Sequence, residues 1–200
     1  MQWKMCDVVA VAGIVTLFGC VAATNRRSPG TECVYNLKIM YMHYASFVSE
    51  NGVFVTELST NSGGSKEYVA SPDKLFMHFK AFCPDQPPLY VLKCPADYTR
   101  QVARQRELLR NTNLSYFLTV NIVREQPDWI ISGTRNISPR QNSFVLFGSE
   151  PTVEWDSTQG LHRDKGVLLF SDGSVRVSGN RELVKIARES TNFSNRIVVP

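Results

Sequence analysis

Apolar positions recur in three rhythms along this chain. From Val8 to Ala23 they are almost continuous, sixteen residues without a charge behind Asp7. From residue 31 to 51 they fall at helical spacing: Val34, Leu37, Met40, Tyr41, Tyr44, Phe47 and Val48, closed by Asn51-Gly52. From Val53 the period drops towards two, in runs separated by turn residues: VFVTEL, LYVLKC, SYFLTVNIV, WIISG, SFVLFG, GVLLF and SVRV. Such runs predict short strands. Three further stretches predict helices, Pro72 to Ala81, Asp97 to Arg110 and Asn180 to Glu189; the last carries Leu183, Ile186 and Ala187 on one face. Strands grouped after a long leading helix, without alternating strand–helix–strand units, predict an α+β fold with an antiparallel sheet.

The first run is a candidate membrane segment. As a helix it would be about 24 Å long, against a hydrocarbon core of about 30 Å. Three readings compete: a cleaved signal peptide behind Lys4, a lipoprotein signal ending at Leu17-Phe18-Gly19-Cys20, and a retained anchoring helix. Phe18 is bulky for the second. Arg26 and Arg27 follow the run, so the positive-inside rule alone would put its C-terminal end in the cytoplasm. The expected organisation is a membrane segment over 1–27 and one globular domain over 28–200. Ser28 or Thr31 can cap the second helix and Gly52 can end it, with Pro29-Gly30 as a break before it.

Charge and chemistry narrow the function. Twenty-two Lys and Arg against eighteen Asp and Glu leave +4, scattered with no basic run longer than two, which gives no reason to expect nucleic acid. Of five cysteines, Cys6 and Cys20 belong to the apolar region, so Cys33, Cys83 and Cys94 can form at most one bridge. Cys83-Pro84 and Cys94-Pro95 make poor metal knuckles, and His43 has no ligand partner at helical spacing. No hydrolase, metalloprotease, phosphate-loop or dinucleotide fingerprint occurs. The expectation is no catalytic residue, cofactor, metal or small-molecule substrate. A catalytic reading would need Cys94 and His162 close in space.

One stretch is more specific. His162 is followed by nine residues and then Asp172-Gly173, with an apolar strand before the turn and a returning strand after it. A hydrogen bond between His162 and Asp172, clasping the loop to the hairpin, is the simplest use for the pair.

This H-x9-DG spacing resembles the carboxyl-terminal signature of prepilin-like proteins of the type II secretion and type IV pilus family. Other motifs follow in the family's order: an acid heading an apolar helix (Asp7), Cys33 with Leu37-Lys38, Cys94-Pro95-Ala96-Asp97, Asn113 to Phe117, and Ser132-Gly133-Thr134-Arg135-Asn136-Ile137. The resemblance implies a pilin-like fold, an N-terminal apolar helix continuing into an amphipathic helix packed on the sheet. It implies a non-catalytic subunit in the inner membrane with its domain in the periplasm or outside, and Asp7 as the acid that meets a neighbouring subunit. The expected partners are the membrane and other pilin-like subunits. The chain departs from the family at its start, where aligning Asp7 puts Gln2 and Trp3 at the usual Gly-Phe cleavage site. The alternative is a monomeric exported or lipid-anchored binding domain of the same fold that does not polymerise.

Overall fold

The computed structural model describes residues 28–83, 89–121, 129–138, 144–147, 153–189 and 195–200. Asp7 and the whole apolar segment lie outside these residues, as do Cys6 and Cys20. Among the described residues no helix is long and apolar enough to cross a membrane.

Helix α1 spans Pro29–Asn51. The Ser28 hydroxyl accepts from the Thr31 N–H at 3.3 Å and Pro29 occupies the first turn, where its missing N–H costs nothing. Pro29 and Gly30 therefore open the helix instead of breaking before it. At the other end Gly52 adopts φ 72° and gives its N–H to the Val48 carbonyl at 2.8 Å. Cys33, Leu37, Met40 and Tyr44 form its buried stripe, with Phe47 and Val48 partly buried beside them. Each such side chain contributes about 1.5 to 3 kcal/mol by leaving water.

Among the described residues eight strands follow: β1 Tyr116–Thr119, β2 Ile130–Thr134, β3 Ile137–Ser138, β4 Phe144–Phe147, β5 Glu154–Trp155, β6 Lys165–Phe170, β7 Val175–Gly179 and β8 Asn195–Val198. Six make one antiparallel sheet in the order β4-β8-β1-β2-β6-β7, and β3 pairs with β5 in a separate ribbon. The α+β class and the antiparallel sheet are thus as the rhythm of the chain predicts.

Side chains alternate across the large sheet as strand geometry requires. Val167 and Leu169 join Tyr116, Leu118 and Ile131 on the face that receives α1, while Leu168 and Phe170 join Phe117 and Ile130 on the other. Helix α2, Leu75–Phe82, thickens the first face, and helix α3, Asn180–Glu189, covers the second through Leu183 and Ala187. Gly166 is required where Trp155 crosses β6, since a Cβ there would lie 2.3 Å from the indole.

Three sequence expectations are corrected. VFVTEL is no strand: the chain turns there, burying Phe54, Val55 and Thr56 one after another. LYVLKC forms a 3-10 turn over Leu89–Leu92. The helix expected from Asp97 to Arg110 is a single 3-10 turn at Arg106–Leu108 in an irregular segment, with Ala103 and Leu109 buried but Val102 and Leu108 exposed. Buried positions six apart do not fall on one helical face.

Candidate functional site

The end of the central strands β1 and β2, beside the start of α1, gathers most of the residues that the motifs single out. Cys94 opens a tight turn in which the Asp97 N–H donates to the Cys94 carbonyl at 2.9 Å. That turn faces the first turns of α1, and Cys94 is bonded to Cys33, with their Cα atoms 5.2 Å apart. The bridge expected among three cysteines is therefore Cys33–Cys94. The remaining thiol, Cys83, is buried; burial pushes its pKa up to about 12 against the opposing charge of Arg106, so it stays protonated and unreactive.

Asp97 sits at the far end of the same turn and is fully buried. Its carboxylate takes a two-pronged contact from Arg135, Nε to Oδ2 at 2.7 Å and Nη2 to Oδ1 at 3.0 Å. The Ser115 hydroxyl donates to Oδ2 at 2.9 Å, and the Thr99 hydroxyl donates to Oδ1 at 2.8 Å. Burial by itself would raise the Asp97 pKa, but the Arg135 bonds and charge, with Thr99 and Ser115, outweigh it and hold the carboxyl below its ordinary range. Arg135 has further partners: Nη2 reaches Thr99 Oγ1 at 2.6 Å, Nη1 reaches Gln159, and its backbone N–H reaches the Ser115 carbonyl at 2.9 Å. The pair links the Cys-Pro-Ala-Asp turn to the end of β2.

His162 completes the cluster. Its Nε2 lies 3.2 Å from Cys94 Sγ. It arrives there on an unusual backbone, with φ 43° at His162 and 57° at Arg163, in the left-handed region that side-chain-bearing residues seldom adopt. Asn136, the residue after Arg135, fixes this loop: its amide donates to the carbonyls of Leu161 at 3.2 Å and Lys165 at 2.8 Å. Burial lowers the His162 pKa from its ordinary value, and the charge of Asp97 opposes that in part. A neutral imidazole therefore faces the disulfide.

The clasp expected between His162 and Asp172 does not form. Asp172 instead accepts the Ser174 N–H at 2.8 Å, closing its own turn. Gly173 has φ 80°, and a Cβ there would lie 2.5 Å from the Tyr41 ring. The Tyr41 hydroxyl donates to the Ser171 carbonyl at 3.2 Å, so the hairpin tip is docked on α1. The two halves of the signature serve different contacts, His162 the disulfide and Asp172-Gly173 the helix.

Cys94 and His162 are thus close, as a thiol–imidazole pair would require, but the sulfur is tied up in a disulfide and has no proton or lone-pair charge to use in attack. Arg135, Asn136, Ser115, Thr99 and Gln159 were not singled out as partners by the sequence. The signal available was that Asp97 and Arg135 each stand in a recognisable short motif. No protein-family model matches the chain, and comparison with curated proteins and with solved structures returns no significant match.

Proposed function

We propose that the chain is a non-catalytic, pilin-like structural subunit of a type II secretion or type IV pilus-like assembly. Its N-terminal apolar segment anchors it in the inner membrane and its sheet domain lies in the periplasm or outside. The observation that carries this reading is that the charged and sulfur groups of the motif cluster satisfy one another. Cys94 is bonded to Cys33, Asp97 and Arg135 neutralise each other, and Asn136 holds backbone carbonyls. Such a site fastens chain segments together, and its one neutral base, the His162 imidazole, faces the disulfide, where no free thiol stands beside it to be activated. A disulfide also suits a domain exported to an oxidising compartment. Helix α1 opens six residues beyond the apolar run, at Pro29, which suits a domain carried on a membrane helix.

Asp7 is the residue on which assembly rests, because a carboxylate inside lipid is costly unless a partner neutralises it. Replacing Asp7 by Ala and cross-linking the protein in extracted membranes should abolish multimers while leaving the domain folded. Unchanged multimers would sink the reading. A monomer in both proteins favours the alternative, an exported binding domain that does not polymerise, for which the Gln2-Trp3 start is the supporting observation.

A further inference from the structure

We propose that when a dithiol reduces the Cys33–Cys94 bridge, the two sulfurs and His162 Nε2 become a three-ligand site for a zinc ion. The three ligand atoms already lie within 4.8 Å of one another. Tetrahedral zinc, with Zn–S near 2.3 Å and Zn–N near 2.0 Å, needs its ligand atoms roughly 3.5 to 3.8 Å apart. Nε2 stands 3.2 Å from Cys94 Sγ, so the imidazole needs only a small displacement. The sulfurs must separate once their bond is gone, which rotation about the two side chains can supply over a Cα–Cα distance of 5.2 Å.

The balance is simple. The dithiol gives two electrons and two protons and becomes a disulfide; the Cys33–Cys94 bond breaks, and each sulfur takes one proton. Both protons then leave to solvent as the thiols bind the ion as thiolates. Two thiolates and a neutral imidazole cancel the charge of a divalent ion, so the buried sulfurs would hold it without a net charge. Asp97, the nearest buried carboxylate, is committed to Arg135 and leaves the ligand set as nitrogen and sulfur, which selects zinc over magnesium or calcium. The fourth position falls to water, on the side where His162 is only half-buried.

The oxidised state leaves the imidazole poorly used. A disulfide sulfur has no proton to donate and accepts weakly, yet Asn136 holds the loop with its left-handed backbone so that His162 points at it. Strained backbone of this kind persists where surrounding contacts fix it and often marks a working group. A metal ion or a thiolate would be a far stronger partner.

The test uses the full chain in detergent, with Cys6, Cys20 and Cys83 replaced by Ala so that only the bridge sulfurs remain. After reduction by a phosphine without air, cobalt(II) is titrated in as a spectroscopic stand-in and displaced with zinc. The expected result is one equivalent of cobalt with thiolate-to-metal charge-transfer absorption in the near ultraviolet, bleached by zinc, and no such band in the oxidised protein. His162→Ala should weaken cobalt binding at least tenfold, and His162→Gln is a second variant should the first fail to fold when oxidised. Asn136→Ala, which removes no ligand, should weaken it as well. Absence of the band in the reduced protein overturns the proposal, and so does a band of equal affinity in the His162 variants. Far-ultraviolet circular dichroism completes the test: a reduced chain that unfolds and does not regain its fold with metal also overturns it. None of these outcomes bears on assembly through Asp7.

Discussion

The two faces of the sheet are covered in different ways. On one, α3 packs beside β5 and β7, its Leu183 and Ala187 buried in one cluster with Phe117, Ile130, Leu168 and Phe170 of the sheet and Trp155 of the small ribbon. Helix and strands there satisfy their own backbones, so an apolar stripe suffices. On the other, α1 shares its place with residues 53 to 114, whose described residues form 3-10 turns and one short helix. Buried peptide groups in such a layer need partners that no ladder supplies, and side chains provide them. Asn36 donates to the Lys93 carbonyl at 3.1 Å, Asn111 joins the Pro72 carbonyl at 2.7 Å to the Phe76 N–H at 3.0 Å, and Arg106 reaches the Lys80 carbonyl at 2.6 Å. The disulfide and the Asp97–Arg135 pair belong to this face too. A layer without its own hydrogen-bond regularity is fastened one contact at a time.

Breaking the covalent fastening should have the largest effect. Replacing Cys33 and Cys94 together by Ala removes a bridge spanning 61 residues, worth about 4 kcal/mol through the freedom it denies the unfolded chain. Urea unfolding should show a correspondingly lower midpoint. A loss under about 1 kcal/mol would mean the irregular layer is held by its side-chain bonds alone.

Next comes Asp97→Asn, which keeps the shape but leaves the Arg135 guanidinium, 6% exposed, without its counter-charge. The expected cost is about 3 to 4 kcal/mol, most of it recovered by adding Arg135→Met, since a buried pair replaced whole is often neutral. The same carboxyl gives an acid limb. Its folded pKa is below the unfolded value, so its stabilisation is present above the unfolded pKa and disappears as pH falls through the folded one. A double-mutant cycle by denaturation would measure the coupling; additive effects would remove the pair from the account.

The smallest of the three separates the faces by pH. His78, on α2, is fully buried with Nδ1 2.6 Å from Ser65 Oγ, and burial pushes its pKa down to about 4 from 6.5. The unfolded chain therefore takes up a proton before the folded one does. Stability should be complete above pH 6.5 and fall by about 3 kcal/mol as pH drops to 4. In His78→Asn this decline should vanish; if the wild-type curve is flat over that window, the imidazole is not shielded as the structure has it.

The same contrast explains what could be read from the chain. Helix α1 and helix α3 announce themselves by apolar residues at 3.6 spacing, β7 by alternation, and β1, β2 and β6 by short apolar runs that both covered faces of the sheet keep buried. Residues 53 to 110 mislead, since Phe54, Val55 and Thr56 are buried consecutively, as in the strands β1 and β2, although the chain turns there, and Ala103 and Leu109 are buried singly in an irregular segment. Alternation within VFVTEL and the Arg, Gln, Glu and Leu content of 97 to 110 suggested structure that tertiary packing overrode. At the site, the cysteine arithmetic limited the bridge to one without choosing its members. The joining of Asp97 to Arg135, 38 residues apart, depends on how β2 lies beside β1, and no local pattern encodes that. His162 was legible as a residue in need of a partner, but the left-handed turn that aims it at Cys94 is held by Asn136, from the link between β2 and β3.

The position of β8 carries a consequence for biosynthesis. This strand, Asn195–Val198, does not lie at a margin of the sheet but between β4 and β1, and Arg100 donates to the Pro200 carbonyl at 3.2 Å just beyond it. A nascent chain can form the β1-β2-β6-β7 half early, yet β4 has no neighbour in the sheet until residues 195 to 198 have left the ribosome. Until then the partly made domain presents an open β1 margin to any extended segment nearby, and only the arrival of β8 closes it.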